Sequence, residues 1–148
     1  MTAREFFRTI RKERAEIKAL REKREAIASS LLPKAMGIKE IQVMESAEQD
    51  PVGKRMAIVV DIDTKISERM VALYAKQDRA IELINMLTRT EQRLAMWTYY
   101  IKTDWPVGID EVAEMIGYST DRCKHLMSDA YKAIDNMPWV SFDEWSKK

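Results

Sequence analysis

The sequence predicts an all-α fold: a long helical N-terminal half, built as a hairpin or coiled coil, followed by a small helix-turn-helix domain. Three observations predict it. Only four glycines and four prolines punctuate 148 residues, and 33% of the residues are charged, a composition that favours long helices over strands or disorder. Apolar residues recur three and four apart through much of the first 87 positions. Residues 109–126 then read as two short helices folded about Gly117. On this basis the chain divides into long helices over 1–87 with a linker at about 29–53, a small domain over 88–137, and an aromatic tail over 138–148.

The first helix is expected over residues 2–28. Ala3, Phe6, Ile10, Glu13, Ile17, Leu20, Arg24, Ile27 and Leu31 alternate three and four apart, which is heptad spacing. Glu13 and Arg24 interrupt the apolar seam, as polar residues that fix register or partner do. The segment carries nine basic side chains against five acidic ones, an excess of +4. Mixed charge of this kind reads as a solvated face with i,i+4 pairs before it reads as a phosphate-contacting arm.

Residues 29–53 break the period. Ser29, Ser30, Pro33, Gly37, Asp50, Pro51 and Gly53 punctuate a linker, while Ile38, Ile41, Val43 and Met44 suit a short helix or strand. A second long helix is expected from about Lys54 to Leu87. Met56, Val59, Asp63, Ile66, Met70, Leu73, Gln77, Ala80, Ile84 and Leu87 keep the three-four alternation without a break. Two such helices joined by a Pro/Gly linker either fold back on each other or associate between chains, and the sequence leaves both open.

Thr88 and Glu91 have the spacing of a capping box, opening a helix whose Leu94, Trp97, Tyr100 and Ile101 share one face. Trp105, Pro106 and Gly108 end it. Val112 and Ile116 then face the core, and Ala113 is small where two helices would cross. Gly117 sits where the chain needs a positive φ. Ser119 or Thr120 can cap the following helix, which runs to about Met137 and turns Cys123, Leu126, Met127, Ala130 and Ile134 inward. In the tail, Trp139, Phe142 and Trp145 are three apart and suited to packing on the domain or on a partner.

If the second helix of the pair enters a DNA major groove, its exposed side chains meet base edges and phosphates. Those are Ser119, Thr120, Asp121, Arg122, Lys124 and His125, with Ser128 and Lys132 further along. Arg122 can pair bidentately with guanine, Lys124 and Lys132 suit phosphates, and the amides at Ser119 and Thr120 suit a phosphate at the helix start. The alternative is a plain αα-hairpin that only packs. Over residues 87–137 six basic side chains face eight acidic ones, so a lone module should bind DNA weakly. Homo-oligomerisation through the long helices, or recruitment by RNA polymerase, would supply the missing affinity.

Residues 87–136 resemble region 4 of the sigma-70 family of bacterial transcription factors. Leu94, Trp97 and Tyr100 hold the places of that family's leucines and aromatics. Val112-Ala113-Glu114-Met115-Ile116-Gly117-Tyr118-Ser119 is similar to its Ile-Ala-x-x-Leu-Gly-x-Ser core, and Ala130-Tyr131-Lys132-Ala133-Ile134 to its Ala-Leu-x-x-Leu ending. Cys123 departs from the usual Val or Ile, and Asp121 adds a negative charge beside the recognition surface. There is no room for a sigma factor's other domains. A long charged helical half before such a module is more similar to small phage and prophage regulators of the ArpU and RinA kind. That resemblance implies a sequence-specific regulator of late genes acting on double-stranded DNA. A small terminase subunit, or a helical adaptor that binds RNA polymerase or another protein without touching DNA, are the rival expectations.

An enzyme is not expected. One His, one Cys and no Gly-rich phosphate loop leave no catalytic set, and His125 without a second ligand is no metal site, so no cofactor is expected. Cys123 lies on an inward face, as a small hydrophobe would. No signal peptide is read at the start and no apolar run nears the ~20 residues that span a bilayer, so the expected setting is the cytoplasm of a bacterial host, away from the membrane.

Overall fold

The computed structural model describes residues 1–31 and 51–146. All regular structure among them is helical: α1 (Ala3–Leu31), α2 (Pro51–Met86), α3 (Thr90–Tyr100), α4 (Ile109–Ile116), α5 (Thr120–Asp135) and α6 (Asp143–Ser146). None of these helices is long and apolar enough to cross a membrane. The short element expected around residues 38–44 lies outside the described residues.

The first long helix runs past its expected end and the second starts before its expected beginning, for local reasons. Pro51 occupies the first turn of α2, where its missing N–H would have no intrahelical partner in any case. It opens the helix three residues before Lys54. At the end of α1 the Ser30 hydroxyl donates back to Ile27 O (2.6 Å), and the helix continues through the serines to Leu31.

The chain forms two compact units, Met1–Ala15 with Ala72–Lys148, and Glu16–Val71. In the smaller unit the later part of α1 and the earlier part of α2 run antiparallel. Glu16 pairs with Arg69, while Arg24 Nε reaches Asp63 Oδ1 at 2.5 Å, so rising numbers on one helix meet falling numbers on the other. Ile17, Ile62 and Ile66 are buried between the helices. The polar interruption at Arg24 thus faces a polar seam position of α2.

In the larger unit the start of α1 joins the end of α2 and the remaining helices. Phe6, Phe7, Ile10, Leu83, Ile84, Leu87, Met96, Tyr100, Val112, Cys123 and Ile134 are fully buried and make its core. Phe7 lies 4.9 Å from the Tyr100 ring and 6.2 Å from that of Tyr131, whose hydroxyls are hydrogen-bonded to each other. Glu13, the other polar interruption of the first seam, pairs with Lys76, whose side chain is only 9% exposed. Arg14 is buried and donates to Tyr100 O (2.5 Å), anchoring α1 to the end of α3.

Two local expectations are overturned. The Thr88–Glu91 capping box does not form: Arg89 is the N-cap of α3 and no side chain caps it. Arg93 reaches back instead, donating to Leu87 O (2.6 Å) and to Thr90 Oγ1 (3.1 Å), and Glu91 is drawn off by arginines. Leu94 and Trp97 are 41% and 39% exposed, because α3 buries Gln92, Ala95, Met96, Thr98 and Tyr100. In the tail Phe142 stacks on Phe6 at 4.9 Å and Trp145 leans on it at 5.8 Å, whereas Trp139 is 66% exposed.

Candidate nucleic-acid interface

The turn between α4 and α5 is built by three consecutive residues. Gly117 has φ 76° and ψ 27°, the left-handed conformation that L side chains resist. It lets the N–H groups of Gly117 and Tyr118 both donate to Ala113 O (2.9 and 3.0 Å), closing the end of α4. Ser119 then returns to extended backbone, and its hydroxyl accepts from Arg122 N (3.2 Å), capping α5. Of the two candidate caps, Ser119 does the capping. Thr120 donates instead to Asp110 Oδ1 (2.9 Å), tying the start of α5 to the first turn of α4.

One side of α5 is sunk in the core through Cys123, Leu126, Met127, Ala130, Tyr131 and Ile134. Burial pushes the Cys123 thiol above its ordinary value, which suits a packing role over a reactive one. The other side carries the sequence-predicted residues. Asp121, Arg122, Lys124, His125 and Lys132 are exposed, as is Ser119, while Thr120 and Ser128 are half-buried. Val112 and Ala113 are buried beneath the turn as expected, and Ile116 is half-buried.

The outward side chains are not equivalent. Arg122 Nη2 donates to Glu91 Oε2 (2.9 Å) on α3, and its guanidinium lies 4.5 Å from the centre of the Tyr118 ring. The Glu91 carboxylate holds the guanidinium charge more firmly, raising its pKa. Arg89 also lies within 3.6 Å of that carboxylate. Arg122 is therefore engaged on the α3 side of α5, and any ligand of its guanidinium would have to displace Glu91.

The opposite side of α5 borders a cleft of 690 Å³ that the sequence did not reveal. Lys124, His125 and Ser128 line it from α5, and Arg4, Arg8 and Arg11 from the beginning of α1. Arg4 lies 5.0 Å from the centre of the Tyr131 ring and Arg11 3.9 Å from that of Tyr99. Arg11 also donates to Val107 O at 2.7 Å. The excess positive charge of residues 2–28 was the available signal, but more than 110 residues of sequence separate Arg8 from Lys124.

No family model, curated protein or solved structure matches this chain.

Proposed function

We propose that this chain is a sequence-specific DNA-binding transcriptional regulator, with α4 and α5 as its helix-turn-helix and α5 as the helix that enters the major groove. The observation that carries the proposal is the left-handed bend at Gly117, followed by a capped helix half sunk in the core. Its free side presents Arg122, Lys124, His125 and Lys132 to solvent. A helix with its side chains is about 10–12 Å across, which suits a major groove of about 12 Å. The resemblance of residues 87–136 to sigma region 4 supports the same assignment. Beside a long helical N-terminal half, that resemblance supports a role like that of ArpU- and RinA-like regulators of phage or prophage late genes. Three residues of α2 spaced four apart, Val52, Met56 and Val60, are exposed and apolar, which supports self-association through the long helices.

Selection of duplexes from a random pool tests the proposal. Enrichment of a common motif, lost in the R122A/K124A double variant with helicity and oligomeric state unchanged, is the expected result. No enrichment above a protein-free control overturns it.

One observation favours a second reading, an adaptor that binds a protein such as RNA polymerase. Leu94 and Trp97 are exposed on α3 and, with Ile84 and Arg93, line a shallow hollow of 250 Å³. Substitution of both by Ser would then abolish partner binding while leaving any DNA binding intact.

A further inference from the structure

We infer that the cleft between the start of α1 and α5 is a seat for the phosphates of one DNA strand, so that the N-terminal helix is a second arm of the interface. This inference rests on the reading of α5 as the groove-entering helix.

Arg4, Arg8 and Arg11 stand at i, i+4 and i+7, which sets them in one stripe about 10 Å long on α1. Like charges at these spacings repel and weaken a helix. Farther along, three charges of the same helix are paired across to α2: Glu13 meets Lys76, Glu16 meets Arg69 and Arg24 meets Asp63. Among the described residues the stripe has no such partner within 4 Å, and the Glu5 carboxylate acts on Arg8 only from farther off. Among the described residues none of Arg4, Arg8, Arg11 and Lys124 forms an ion pair, and no acidic side chain lines the cleft they share. Tyr131 and Tyr99 restrain the outer two guanidinium groups through their ring faces and leave the positive charge in place. Arg8 lies between them, exposed.

The position of the cleft identifies the anion. A helix in the major groove nearly fills its width, so a phosphate backbone runs along each flank. Arg122 and Lys124 are two residues apart and so lie about 200° apart around α5. Arg122 leans to the α3 flank, where Glu91 waits. Lys124, with Ser128 one turn on, lies on the α1 flank and lines the cleft. A backbone along that flank meets Lys124 and Ser128 from α5 and the arginine stripe from α1. The stripe also supplies positive charge to a module whose own residues sum to a negative one.

Binding to a labelled duplex of about 30 base pairs, followed from about 50 to 200 mM salt, tests this. Each phosphate contact contributes about 0.9 to the slope of log K against log salt. R8Q should lower the magnitude of the slope by about 1 and R4Q/R8Q by about 2, with the selected sequence motif unchanged. K65Q, on α2, should leave it unchanged. Thermal melting of R8Q should match the parent, since the residue is exposed. A parent slope retained in R4Q/R8Q, or an equal fall in K65Q, overturns the phosphate seat and leaves the assignment of α5 intact. Absence of duplex binding by the unaltered protein, even at low salt, overturns both.

Discussion

Arg122 on α5 donates to Glu91 on α3 at 2.9 Å, so the arginine proposed to read a guanine is already held by a carboxylate. Both side chains are substantially exposed, and an exposed ion pair of this kind exchanges partners easily. DNA binding should therefore respond to Glu91 with the opposite sign to Arg122. E91Q keeps the shape of the side chain, removes its charge and should tighten binding several-fold. R122A should weaken it by roughly tenfold and relax the preference at one base position. Fluorescence anisotropy with the selected duplex reads both, and weaker binding by E91Q would refute the competition.

Gly117 is held at φ 76° with nothing within 4 Å of the position a Cβ would take. The cost of G117A is thus backbone strain without a clash, about 1 kcal/mol. Thermal unfolding should show a midpoint lower by about 3 °C. G117N should cost less, since asparagine tolerates this region. An unchanged midpoint in G117A would show that the turn does not need its left-handed residue.

The hydroxyls of Tyr100 and Tyr131 are hydrogen-bonded to each other in the core, and burial pushes both phenols above their ordinary value. A folded-state pKa above the unfolded value of about 10 leaves stability whole below that pH and removes it as pH rises beyond it. Urea midpoints should hold up to about pH 10 and then fall. In Y131F one of the two titrating groups is gone, so the alkaline fall should be shallower. A decline as steep as the parent's would exclude the pair as its source.

Phe142 is buried on Phe6, whereas Trp139 in the same tail is mostly exposed. F142A should destabilise the larger unit by about 3 kcal/mol, and W139A should stay within about 0.5 kcal/mol of the parent. Chemical denaturation monitored by far-ultraviolet circular dichroism separates the two. Similar losses from both would contradict the packing.

The helical periods were legible where one face of a long helix had to be buried. Every seam position named in α1 is buried or half-buried, and in α2 only Met56 is exposed. Where a short helix has apolar residues all round, the period does not choose a face. In α3 the core took Ala95, Met96 and Tyr100 and left Leu94 and Trp97 outside. The Thr88–Glu91 box failed for another reason: a cap competes with charged neighbours, and Glu91 lies within 4 Å of Arg89 nearby in the chain and of Arg122 far along it.

By itself the sequence determined the all-helical class, the left-handed hinge at Gly117 and the inward face of α5. Period, capping and the steric freedom of glycine act over a few residues, and neighbouring residues suffice to encode them. Only the tertiary structure decided that the chain's own two long helices meet in antiparallel register within a compact unit, that Glu91 holds Arg122, and that Arg4, Arg8 and Arg11 stand across a cleft from Lys124. Those relationships depend on which distant surfaces bury each other. Packing sets that choice, and charges far apart in the chain become neighbours only once it is made.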